Sequence, residues 1–140
     1  MSLEELFKEI IIDHYQHPRN HGHVDHPEAR ADGSNPLCGD EISMELVFDG
    51  DTLKDVRFDG SGCSISQSAA SLITEAIKGK TMEETRKIVE EYKNMLAGKG
   101  HDADLLGDLE ALSDVNKYPA RVKCASLSVA VLEQALRQRK

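Results

Sequence analysis

One hundred and forty residues, 39% of them apolar and 30% charged, describe a single globular domain over 1–140 that can form a core without disulfide staples. Tryptophan is absent and aromatics reach only 4%, so that core rests on Leu, Ile, Val, Ala and Met. The formal charge of −8 repels phosphate backbones and anionic bilayers, which argues against nucleic acid and membrane as partners and favours a basic protein surface.

In chain order, residues 3–16 predict an amphipathic helix, with Leu3, Leu6, Phe7, Ile10 and Ile11 at helical spacing and acids in its first turn. No signal-type segment precedes it, and no apolar run approaches membrane-spanning length, so a cytoplasmic location is expected. Pro18 ends the helix, and the His-, Pro- and Gly-rich stretch to Pro36 reads mostly as loop, with a weakly marked strand over 29–33. Ile42, Met44, Leu46 and Phe48 alternate as a half-buried strand does. Asp49-Gly50-Asp51 is a hairpin turn signal, and Leu53, Val56 and Phe58 continue the pattern in a second strand.

After Gly60-Ser61-Gly62-Cys63 the period becomes helical: residues 65–78 predict a helix stopped by Gly79. Thr81-Met82-Glu83-Glu84 forms a capping box opening a helix to about Leu96. Residues 99–117 read as a loop enclosing a short helix over 108–112, and a last helix begins near Ala120, after Pro119. Helix, strands and then several helices make an α+β fold, with helices packed on a small antiparallel sheet of about three strands.

Three cysteines, Cys38, Cys63 and Cys124, cannot all pair within one chain, and in a reducing compartment such a set points to metal binding or reactivity. No Cys-x-x-Cys is present, nor a Cys-x5-Arg phosphate loop. Context is more informative than spacing. Cys38 lies in a Pro/Gly turn with Asp40 two residues on, where the carboxylate can address the same point as the thiol. Cys63 opens a helix, where the dipole and free N–H groups favour thiolate. Cys124 lies near the start of the last helix beside Arg121 and Lys123, whose charge is expected to act in the same direction. A lone cysteine is most often apolar filler, but three at element ends with such neighbours are read as converging on one metal site. The loose cluster His14, His17, His21, His23 and His26 has irregular spacing and reads as solvated or capping side chains.

Asp13-His14-Tyr15 with Pro18-Arg19-Asn20, Asn35-Pro36-Leu37-Cys38-Gly39-Asp40, Gly60-Ser61-Gly62-Cys63-Ser64-Ile65-Ser66 and Ala120-Arg121-Val122-Lys123-Cys124-Ala125 together resemble the U-type iron–sulfur cluster assembly family, over nearly the whole chain and in one order. Within it the segment 98–115 and Lys123 resemble the SufU-type branch; the scaffold branch, IscU, carries a histidine ligand where Lys123 stands. The scaffold branch's Leu-Pro-Pro-Val-Lys motif is also replaced, by Tyr118-Pro119-Ala120-Arg121-Val122.

The resemblance implies a SufE/NifU-like fold and a tetrahedral Zn²⁺ held by Cys38, Asp40, Cys63 and Cys124. It implies that Cys38 is the mobile residue that accepts persulfide sulfur from a PLP-dependent cysteine desulfurase of the SufS type, while Cys63 and Cys124 stay as anchors. Arg121 and Lys123 are then candidates for partner contact or site tuning. Sulfur would pass to a downstream iron–sulfur scaffold or apo-protein. The alternatives are a scaffold on which the same four residues build a transient Fe–S cluster, and a zinc-stabilised domain without transfer activity.

Overall fold

In the computed structural model, which describes residues 2–139, three antiparallel strands form the layer on which the helices pack. They are β1 (Ala29–Asn35), β2 (Asp40–Asp49) and β3 (Thr52–Ser61), in the spatial order β1-β2-β3. Alternation decides which face is covered. Ile42, Met44, Leu46, Leu53, Val56 and Phe58 are all buried, whereas Asp32, Ser34 and Glu41 remain exposed on the other face. Register then sets the location of the site. Asn35 pairs with Asp40 across the β1–β2 turn and Glu41 pairs with Ser61. The turn bearing Cys38 and the exit of β3 toward Cys63 therefore share one end of the sheet.

The helices are α1 (Leu3–Gln16), α2 (Ser64–Ile77), α3 (Met82–Leu96), the single turn α4 (Ala103–Leu106) and α5 (Pro119–Leu136). Between α4 and α5 runs a series of 3₁₀ turns, Gly107–Lys117. α5 lies on β1 and β2, α2 on β3, and the two helices pack on each other. The expected capping box opens α3: Thr81 Oγ1 accepts the Glu84 N–H and the Glu84 carboxylate accepts the Thr81 N–H. α3 is tied to α5 by the fully buried Tyr92, whose hydroxyl donates to the Ala125 carbonyl at 2.7 Å, one residue past Cys124. Tyr92→Phe is expected to lower stability by about 1 kcal/mol, read as a shifted denaturant midpoint with unchanged m.

Three features depart from the sequence pattern. The edge strand β1 extends two residues beyond the expected 29–33, because Ser34 and Asn35 complete their pairing with Glu41 and Asp40. The stretch 99–117 is mostly 3₁₀ rather than a loop with a helix over 108–112. Its large buried residues Leu106, Leu109, Leu112 and Val115 recur every third position, and a three-residue turn stacks such a series on one side.

α1 is a helix as predicted, but its apolar stripe is poorly covered: Leu3 and Leu6 are 64% and 43% exposed, and Phe7, Ile10 and Ile11 are half-buried. Its one fully buried residue is His14, whose Nδ1 lies 2.8 Å from Ser71 Oγ on α2. That overturns the solvated reading for this histidine. Burial, with Arg19 nearby, pushes the His14 pKa below its ordinary value and keeps the ring neutral. Among the described residues no helix is long and apolar enough to cross a membrane.

Candidate metal centre

Asp40 is the first residue of β2 and is completely buried. One carboxylate oxygen, Oδ1, accepts the N–H of Cys63 at 2.9 Å. The other, Oδ2, is buried with no hydrogen-bond partner. Leaving a carboxylate oxygen dry and unpaired costs several kcal/mol, on the order of the penalty for burying an unsatisfied charged group. Burial by itself raises the Asp40 pKa. The Cys63 N–H and the side chains of Cys124, Ser66 and Cys63 more than offset this and hold the carboxyl below its ordinary range. An anionic oxygen is thus presented into a closed space.

Three cysteines lie at this end of the sheet, each from a different element. Cys38 sits exposed on the β1–β2 turn, Cys63 is half-buried at the start of α2, and Cys124 is buried in the first turns of α5. The donor atoms of Cys38, Asp40 and Cys124 all lie within 4.8 Å of one another, and the Cys124 thiol donates to Cys38 Sγ at 3.3 Å. Cys63 is the N-cap of α2: its Sγ accepts the N–H of Ser66 at 3.4 Å, so it stands at the edge of the trio rather than inside it. The expected helix-start environment of Cys63 is therefore realised.

For Cys124 the expectation reverses. Burial pushes its thiol far above the ordinary range, and Cys38, Asp40 and Cys63 push the same way. Arg121 and Lys123 do not counter this, because both are exposed and Arg121 lies over the Tyr118 ring, 5.9 Å from its centre. The sequence places these cations beside Cys124, but the helix turns them outward to solvent. Cys38, Cys124 and the orphaned carboxylate, with Cys63 at their edge, could hold a tetrahedral, borderline-soft divalent ion, which would take up the sulfurs as thiolates and satisfy Asp40 Oδ2.

Residues 6–125 match the family model of the NifU-like N terminal domain. The chain belongs to that family. Over 136 residues it is 44% identical to the zinc-dependent sulfurtransferase SufU of Bacillus subtilis, covering 96% of this chain and 92% of that one. It is 36% identical over 137 residues to the iron–sulfur cluster assembly scaffold protein IscU of Streptococcus pyogenes, covering 97% and 86% of the two chains. Among solved structures it resembles FiSufU of Fervidobacterium islandicum, described for the SUF system of iron–sulfur cluster assembly. That likeness has a TM-score of 0.89 at 37% identity over 96% of this chain and 99% of the other. The NifU-like N-terminal protein of Brucella abortus shares the fold, with a TM-score of 0.86 at 20% identity, 97% of this chain and 95% of the other being covered. The α+β architecture with a three-stranded antiparallel sheet is the architecture of this family.

Sequence reasoning passed over Asn35. It is 8% exposed, its carbonyl accepts the Cys38 N–H at 3.2 Å, and its side-chain amide donates to Cys124 Sγ at 3.9 Å. As the cross-strand partner of Asp40 it touches the geometry of three candidate ligands at once. Its one visible signal is position, since an Asn-Pro pair ahead of a cysteine starts a turn and leaves a polar side chain at the strand end.

Proposed function

We propose that this protein is a zinc-dependent sulfurtransferase of iron–sulfur cluster assembly, with Zn²⁺ held by Cys38, Asp40, Cys63 and Cys124. The observation that carries the reading is the unequal standing of the donors. Asp40 and Cys124 are buried, Cys63 caps a helix, and Cys38 alone is exposed, on a turn whose Leu37 is 80% exposed. Zn²⁺ supplies a charge that keeps three thiols deprotonated without redox chemistry of its own.

The donor partner in this reading is a PLP-dependent cysteine desulfurase of the SufS type in the cytoplasm. The Cys38 thiolate attacks the outer sulfur of the desulfurase persulfide. The S–S bond on the desulfurase breaks, its cysteine leaves as thiolate, and a new S–S bond forms on Cys38. The persulfide proton passes to the departing thiolate or to solvent, so the exchange needs no external oxidant. Leu37, beside Cys38 on the turn, offers such a partner an exposed apolar side chain. The sulfur then goes to a downstream scaffold or apo-protein.

The test is to mix the zinc-loaded protein with the desulfurase and follow cysteine turnover. A strong rise supports the proposal. No rise, together with a stable visible chromophore after anaerobic addition of iron and sulfide, supports the scaffold reading that the IscU relative represents.

A further inference from the structure

The histidine that departed from expectation lies in a second cluster, formed by α1, α2 and the 3₁₀ segment. His14, Glu75 and Asp108 offer three donor atoms that all lie within 4.8 Å of one another. None of these residues is within two positions of Cys38, Asp40, Cys63 or Cys124.

His14 is 3% exposed, yet only one of its ring nitrogens is engaged. Nδ1 meets Ser71 Oγ at 2.8 Å, and the same oxygen accepts the Arg19 N–H at 2.8 Å. Ser71 Oγ can accept from both Nδ1–H and the Arg19 N–H, and in that tautomer Nε2 keeps its lone pair on the side of Glu75. A hydrogen-bonded Nδ1 behind a free Nε2 is the arrangement that orients ligating histidines.

Nε2 stands 3.9 Å from Glu75 Oε1. That is beyond hydrogen-bond range, but it suits two atoms that each bind one ion at about 2.0–2.2 Å. The other Glu75 oxygen, Oε2, lies 3.8 Å from Arg19 Nε, so the carboxylate is divided between the guanidinium and the imidazole. Arg19 is itself held by Asp13 at 2.6 Å and by the His17 carbonyl at 3.0 Å. Glu75 and Asp108 line the open cleft between α2, α3 and the 3₁₀ segment, which gives an ion and its completing waters a path in. Both acids are exposed, so their side chains are free to move inward from the 4.8 Å envelope to the shorter separations an ion requires.

We propose that His14, Glu75 and Asp108 form a second divalent-cation site, with one imidazole nitrogen, two carboxylate oxygens and water as ligands. Its donors are harder than three thiolates, so it suits Zn²⁺, Fe²⁺ or Mn²⁺ after the cysteine site has been filled. Bound there, the ion joins α1 to α2 and to the 3₁₀ segment. α1 is the helix that needs such a link, since His14 is its only fully buried residue.

The experiment starts from protein carrying one Zn²⁺ and titrates further Zn²⁺ by calorimetry, following the melting temperature in parallel. The wild type should take a second equivalent and melt higher as free Zn²⁺ rises. Asp108→Asn and Glu75→Gln, both surface changes compatible with folding, should weaken that second event about tenfold or more and remove the rise in melting. The first equivalent should be unchanged in all three proteins. Absence of a second equivalent in the wild type overturns the proposal. So does a second equivalent that both variants retain within about twofold, because the ion then binds elsewhere.

Discussion

Cys38→Ser is expected to reduce sulfur acceptance from the desulfurase by roughly a thousandfold or more while leaving about one Zn²⁺ per chain, the loss being that of a removed nucleophile. The asymmetry follows from burial. Cys38 is exposed on a turn, whereas Asp40 and Cys124 are closed off by the sheet end and α5. Removing the exposed sulfur exchanges one outer donor for a hydroxyl or water, and a zinc site with three protein ligands and an open position is a stable arrangement. Cys124→Ser removes a buried donor 3.3 Å from Cys38 and should lose metal and transfer together. Zinc content and mass spectrometry of the Cys38 peptide separate the two outcomes. A single added sulfur should appear on Cys38 in the wild type and on no cysteine in Cys38→Ser. Finding the added sulfur on Cys63 or Cys124 in that variant would show that the acceptor has been misassigned.

The covered face of the sheet was readable because Ile42, Met44 and Leu46 alternate without interruption, and a period of two has one structural meaning. The ends of α2 and α3 were readable for a similar reason, since Gly79 and the Thr81/Glu84 box are local chemistry. β1 was hard to see because Ala-Arg-Ala-Asp-Gly-Ser-Asn has no β-branched residue. It is a strand because β2 pairs with it and α5 covers it, which are non-local causes.

The Leu106-Leu109-Leu112-Val115 series is visible in the sequence, but a period of three lies between the helical and strand templates, so the pattern alone yields only a short helix over 108–112 within a loop. At the site, element ends lead to the expectation that Cys38, Cys63 and Cys124 converge with Asp40; the structure gathers Cys38, Asp40 and Cys124 and leaves Cys63 at their edge. The protonation of Cys124 was not legible, because flanking charge was counted and burial was not. Nor was Asn35, whose importance comes from pairing across a turn, or His14, whose partner Ser71 lies 57 residues away.

Gly62→Ala is expected to damage the site from a position that bears no ligand. Gly62 has φ +146°, a region that side chains rarely adopt, and an added Cβ would lie 2.3 Å from Asp40 Oδ1 and 2.9 Å from Asp40 Cα. The first of those atoms accepts the Cys63 N–H, so the methyl group must push Asp40 away from Cys63 or pull the start of α2 outward. Strained backbone and lost packing together should cost about 2–4 kcal/mol. Zinc affinity, measured against a competing chelator, should fall at least about tenfold, as it does when the support of a metal ligand is disturbed.

Gly79→Ala separates the two effects. Its φ of +82° also disfavours a side chain, but nothing lies within 4 Å of the new Cβ, and it follows the far end of α2. This variant should lose about 1–2 kcal/mol of stability from backbone strain alone and bind zinc as the wild type does. If Gly62→Ala holds zinc within about twofold of wild type while losing stability, Asp40 does not belong to the donor set. If zinc affinity falls in Gly62→Ala and not in Gly79→Ala, the contact between Asp40 and the Cys63 end of α2 supports the metal. An equal fall in Asp40→Asn, which leaves the α2 start in place, makes the buried carboxylate at the head of β2 the ligand.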